Sequence, residues 1–150
     1  MTDDRPYIQE NDRERERLRA FINRLDEDAL AAPANEYWTV AGVLVHMAYW
    51  DNRVLVLADK IDRGEPWLPS DAEPEGDWLN DSIRPIILAV APRAAADLAL
   101  RIAEETDARV AVLPLDRMYP LDPESPISAA RSAHRGEHLD ELEQAVRDRG

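Results

Sequence analysis

The sequence predicts an all-α protein: a four-helix bundle with long irregular connections between its second and third helices and between its third and fourth. Three observations lead there. Apolar residues recur every three to four positions over long stretches, prolines and glycines gather between those stretches, and no run of four to eight residues alternates apolar and polar as a half-buried strand would. A chain of 150 residues can bury a core without disulfides and reads as a single domain over 1–150, with no internal repeat.

The first helix is predicted from about Asp4 to Leu25. Leu18, Phe21, Ile22 and Leu25 make its apolar stripe, and the alternating charges of DRERER make its wet face. DEDALAAPANEY follows as a connection. Thr39 is then placed to cap a second helix, with Trp38 stapled against Val43, and Gly64 to stop it. The first half of this helix is apolar almost all round, which predicts burial against several neighbours. The stretch from Glu65 to Gly76, with Pro66, Pro69 and Pro74, is a loop in which Trp67 either covers a pocket mouth or patches the core.

The third helix is predicted from near Asp77 to about Leu113. Pro85 and Pro92 kink or split it, and Pro92 is suited to open a segment of its own. PLDRMYPLDPE is a second irregular connection. Ser125 as cap and Pro126 at the first helical position predict a fourth helix from Pro126 to about Arg149. VLVL and VAVL are β-prone alone, yet each lies inside a longer helical pattern.

Composition narrows the function classes. There is no cysteine, so disulfides, thiolate metal ligands and a cysteine nucleophile are excluded, and any thiol chemistry must use a ligand's thiol. The formal net charge of -13 disfavours nucleic acid as a partner. No run approaches the ~20 apolar residues of a membrane span and the N-terminus lacks the apolar stretch of a signal peptide, so the expected location is cytoplasmic and no membrane partner is expected. Lys60 is the single lysine among 18 basic residues, a bias typical of GC-rich coding.

The chain has only three histidines, His46, His134 and His138. His134 and His138 are four apart and share one helix face, which projects as Ile127, Ala130, His134, His138, Leu142 and Ala145 and is therefore expected to look inward. His46 lies in the buried half of the second helix, so a bundle with the second and fourth helices adjacent can gather all three. Spacing alone leaves two readings: ligands of one divalent metal ion, or buried histidines satisfied by neighbouring carbonyls and carboxylates. Under the first, three neutral nitrogens leave positions open on the ion, as in catalytic zinc sites, while nickel, manganese, iron and cobalt suit the same donors.

The segment WTVAGVLVHMAYWDN resembles the signature of the DinB-like superfamily of four-helix bundles in its Trp38-Thr39 start, its His46 and its Trp50-Asp51 pair. HRGEHLDEL resembles that family's C-terminal H-x-x-x-H helix, and WLNDSI the asparagine-containing start of its third helix. Helix order and length fit across nearly the whole chain, as they do for the N-terminal domain of mycothiol-dependent maleylpyruvate isomerase. The resemblance implies that His46, His134 and His138 are metal ligands. Gly42 departs from it, standing where the family commonly has an acid, and Gly136 between two ligands costs ~1 kcal/mol of helix propensity and marks a close neighbour, expected to be another chain.

By the same resemblance the chemistry is that of a divalent metal, zinc first, with mycothiol or another low-molecular-weight thiol as cosubstrate. The expected function is thiol S-transfer to small electrophiles, in the setting of a stress response. Arg53 and Arg131 border the expected site and either bind the thiol cofactor or, as arginines at bundle edges more often do, pair with carboxylates. Tyr49 and Trp50 line a pocket or pack in the core. Asp51, Glu137 and Glu141 are candidates to orient ligand imidazoles, Glu141 foremost because it follows His138 by three. The alternatives are a metal-dependent hydrolase of a small molecule and a non-catalytic bundle that binds metal or ligand, with a homodimer as the assembly to test.

Overall fold

The computed structural model describes residues 5–72 and 76–149. The expected helix start at Asp4 and the loop residue Pro74 lie outside them. The described residues form six α-helices: α1 Pro6–Arg24, α2 Glu27–Ala31, α3 Val40–Asp62, α4 Gly76–Leu88, α5 Pro92–Val110 and α6 Ser132–Arg149. Among the described residues the only β-type pairings are two isolated bridges, Pro33 with Thr39 and Tyr119 with Ser128. The long helices α1, α3, α5 and α6 form the bundle, each packed on two of the others; α4 lies against α3, and α2 against α3 and α5.

Local chemistry explains the ends. Pro6 and Pro92 open α1 and α5, where a missing N–H costs nothing. The Thr39 hydroxyl accepts from Gly42 N at 2.9 Å to cap α3, and Gly64, at φ 68°, takes the left-handed turn after it. Asp26 caps the five-residue α2 by accepting from Ala29 N at 2.8 Å, inside a segment expected to be plain connection. The third predicted helix is split: α4 runs through Pro85, and Pro92 starts α5 as a separate element.

The main core joins Leu18, Phe21 and Ile22 of α1 with Leu44 and Met47 of α3 and with Leu139 and Leu142 of α6. The fully buried residues that α5 adds to it are alanines, Ala96, Ala99 and Ala103, which lets α3 and α5 approach closely, with Leu100 and Ile102 packed at its margin. A second cluster fills the other end, where Met118 and Ile127 of the irregular 111–131 segment close over Val54, Ala58 and Val110. Trp67 packs on this cluster and donates to Asp122 at 3.0 Å, so it patches the core.

The fourth predicted helix is shorter than the sequence suggested. Ser125 spends its hydroxyl on a turn, donating to Arg117 O at 2.8 Å and accepting from Ile127 N at 3.2 Å, and the helix begins only at Ser132. Its cap comes from another helix: Asn11 of α1, 1% exposed, accepts from Ser132 N at 2.9 Å and donates to Ala129 O at 2.9 Å. The buried stripe is also rotated from the expected one. It runs Arg135, Leu139, Leu142, and leaves His134 and His138 half-buried on the flank, beside α3.

Candidate metal centre

His46 sits in the second turn of α3 and is 9% exposed, held between Trp38 and Trp50 with ring centroids at 5.9 and 6.3 Å. The flank of α6 brings the other two rings to it, with centroids 5.5 Å to His134 and 4.9 Å to His138, and 4.5 Å between those two. One ring nitrogen of each histidine lies within 4.8 Å of the other two. The three residues singled out by the sequence are thus one cluster.

The cluster suits a divalent cation. His134 Nε2 and His138 Nε2 are 3.0 Å apart, and two unprotonated nitrogens at that separation repel unless a proton or a cation lies between them. Nitrogens bound to one zinc at ~2.0 to 2.1 Å stand about 2.9 to 3.4 Å apart, so this pair needs little movement. Burial, with His138 beside it, lowers the pKa of His46 from 6.5 to about 4. Burial lowers that of His134 to about 3, helped by the other two rings and by Arg131 and Arg135. Both imidazoles are therefore neutral at pH 7, the form that binds metal. His46 Nδ1 and His138 Nδ1 are buried without a hydrogen-bond partner, so each ring keeps donor capacity that the protein itself does not use.

Two cavities flank the histidines. One of about 270 Å³ is bounded by His134, Trp50, Arg53, Leu57, Ser128 and Arg131. The other, about 150 Å³, is bounded by His46, His138, Trp38, Asn35, Asn80 and Glu141. Arg53 and Arg131 share a cavity with His134. Both also have work within the chain: Arg53 lies over the Trp50 ring at 5.1 Å and donates to Asp71 O at 3.2 Å, and Arg131 donates to Asp51 Oδ1 at 3.0 Å and to Trp50 O at 3.4 Å. Trp50 is buried and lines the first cavity, while Tyr49 lies on a separate surface hollow with Asn52 and Val56.

The acids fall differently from expectation. Asp51 does not meet an imidazole; it is buried and holds Arg131 and Arg135. Glu141 Oε2 lies 3.6 Å from His138 Nδ1, beyond hydrogen-bond length, while its Oε1 accepts from Asn35 Nδ2 at 3.4 Å. Glu137 is exposed.

Sequence reasoning missed two residues. Arg135, 1% exposed, donates to Asp107 at 2.9 and 3.0 Å, to Asp51 at 3.2 Å and to Asn11 O at 3.2 Å. Burial alone would lower its pKa, and the two carboxylates more than reverse this. Its place four and seven residues before Leu139 and Leu142 was the available signal. Asn80 was noted only within a motif; its side-chain oxygen is buried and unpartnered beside the second cavity.

Gly42 is explained by packing. A Cβ there would stand 3.0 Å from Leu88, 3.1 Å from the Thr39 hydroxyl and 3.2 Å from Trp38. The neighbour facing Gly136 is Glu14 of α1, at 3.4 Å from where a Cβ would be, and so lies within the same chain.

Among the described residues no helix is long and apolar enough to cross a membrane. No curated protein and no solved structure is significantly similar to the chain. The family model described as the DinB superfamily matches residues 10–145, a span that contains α3, α5, all three histidines and the Asp51–Arg135 pair. The helical architecture, the histidine cluster and this match together place the chain in the DinB superfamily.

Proposed function

We propose that the protein is a divalent-metal-dependent enzyme that joins a low-molecular-weight thiol of the mycothiol type to a small electrophile. The observation that carries the reading is the meeting of three imidazoles, two of them held neutral by burial, at the edge of a cavity that also contains two arginines. His46, His134 and His138 would hold the ion, with zinc the first candidate and nickel, manganese, iron or cobalt compatible with the donors. A divalent ion with neutral ligands keeps its full charge and lowers the pKa of a thiol or water that it binds.

The chain supplies the rest. Having no cysteine, it offers no competing thiolate, and the sulfur must arrive with a ligand. Arg53 and Arg131 stand where they can meet the polar groups of that ligand, while Trp50 and Leu57 give the cavity an apolar wall. A hydrolase is the second reading. It is favoured by the smaller cavity on the His46 and His138 side, where Glu141 could take a proton from a water and the unpartnered oxygen of Asn80 could accept a hydrogen bond from it.

The test is a turnover screen of zinc-loaded and chelated protein against a common electrophile with mycothiol, bacillithiol, glutathione or no thiol. Consumption that needs both metal and a thiol supports the transferase. Equal turnover without thiol favours the hydrolase, and turnover unchanged by chelation removes both readings.

A further inference from the structure

The histidine pair stands on a part of α6 that has almost no apolar anchor. From Ser132 up to Leu139 the one buried side chain is Arg135, and it is charged. Polar contacts therefore hold these two turns: Asn11 caps Ser132, Arg135 grips Asp107 of α5, and Arg131 and Arg135 both reach Asp51 of α3. The third ligand, His46, is on α3, five residues before Asp51. Apart from a 3.4 Å bond from Arg131 to Trp50 O, the hydrogen bonds that Arg131 and this part of α6 make to α3, among the described residues, end on the Asp51 carboxylate.

We propose that Asp51 is the positioning residue of the metal centre: by holding the arginines immediately before and within the histidine pair, it fixes α6 against α3 so that His134 and His138 meet His46. The inference rests on the three histidines being the ligands. A slip of one residue along α6 would move each ring ~1.5 Å and turn it by about 100°, whereas a working site tolerates displacements of only ~0.5 Å. Arg131 and Arg135 sandwich His134 in sequence, and each gives Asp51 one of its oxygens' contacts, at 3.0 and 3.2 Å, so both rotation and slip are opposed. The carboxylate has a second effect. It offsets two guanidinium charges that would otherwise oppose a divalent ion at the neighbouring rings.

The experiment uses the full chain and cobalt(II), read by its visible absorption spectrum and by competition with a chelator. Asp51→Asn is expected to weaken cobalt affinity at least about tenfold and to change the visible bands, as loss of an orienting partner does at metal sites. Asp51→Glu is expected to recover part of the affinity. Asp107→Asn cuts the same charged cluster on the α5 side and serves as the stability control: it should lower the melting temperature of the metal-free chain by as much as Asp51→Asn yet leave affinity within about threefold and the bands in place.

Wild-type affinity and spectrum in Asp51→Asn would overturn the proposal, and so would an equal loss of affinity in Asp107→Asn. If circular dichroism finds Asp51→Asn unfolded, Arg131→Gln decides, because it removes one of the two arginine contacts to Asp51 at a position less buried than Arg135; unchanged affinity there overturns the proposal, and a loss of about threefold or more supports it. A wild-type chain that takes up no cobalt would refute the ligand assignment itself and this inference with it, and is told apart by that first titration.

Discussion

Replacing Arg135 with methionine tests the physical reading of α6 directly. Methionine keeps most of the buried stem but removes four hydrogen bonds, at 2.9 and 3.0 Å to Asp107 and 3.2 Å each to Asp51 and to Asn11 O. Asp51 would still have Arg131, and Asp107 would still have Arg15 at 2.9 Å, so neither carboxylate is left bare. Breaking a buried pair from one side costs ~3 to 5 kcal/mol when the partner is stranded, and the remaining arginines put this case at or below the lower end, about 2 to 3 kcal/mol. For a chain of this size that lowers the melting temperature by roughly 4 to 12 °C. The assay is urea unfolding of the metal-free protein at neutral pH, where the midpoint should fall with an unchanged slope. A variant within about 0.5 kcal/mol of wild type, or more stable than it, would refute the view that α6 depends on a buried charge for its seating.

Acid should destabilise the metal-free protein earlier than its carboxylates alone would. His46 and His134 have pKa values lowered to about 4 and about 3 in the fold, so below their unfolded value of 6.5 the unfolded chain takes up protons that the folded chain refuses. Stability should therefore decline as pH falls from about 6.5 to 5, above the range in which carboxylates titrate, and the decline should be shallower in His134→Gln; identical slopes in urea midpoints would contradict the assigned burial. Gly42 and Gly136, both inside helices, should respond with opposite signs. Gly42→Ala forces a Cβ to within 3.0 to 3.2 Å of Leu88, Thr39 and Trp38 and should destabilise despite better helix propensity, by about 1 kcal/mol. Gly136→Ala meets only the Glu14 side chain at 3.4 Å and should stabilise by about 0.5 to 1 kcal/mol, both measured by thermal melting.

The parts of this fold that could be read in the sequence are those where one local signal had no competitor. Thr39 and Gly64 bracket α3 because capping and the left-handed turn are chemistry of the residues themselves. The segment around Ser125 and Pro126 carries an equally good start signal, but tertiary contacts override it: Ile127 is needed in the second core cluster and the Ser125 hydroxyl in a turn. α2 was invisible to periodicity because five residues cannot display a stripe, although Asp26, Glu27 and Asp28 form a helix start. The three histidines were legible as a set because they were so few. Their environment was not, because a charged residue such as Arg135 is assigned to solvent unless the phase of Leu139 and Leu142 is followed back through it. The same blindness put Asp51 beside an imidazole when its partners are arginines.

The central claim is that His46, His134 and His138 together hold one divalent ion. Its most direct test is elemental analysis of the protein purified without a histidine tag, beside His134→Ala prepared in the same way. The account predicts about one divalent ion per folded chain and essentially none retained by the variant. A wild-type chain that carries no metal even after loading, or a variant that retains a full equivalent, would contradict it.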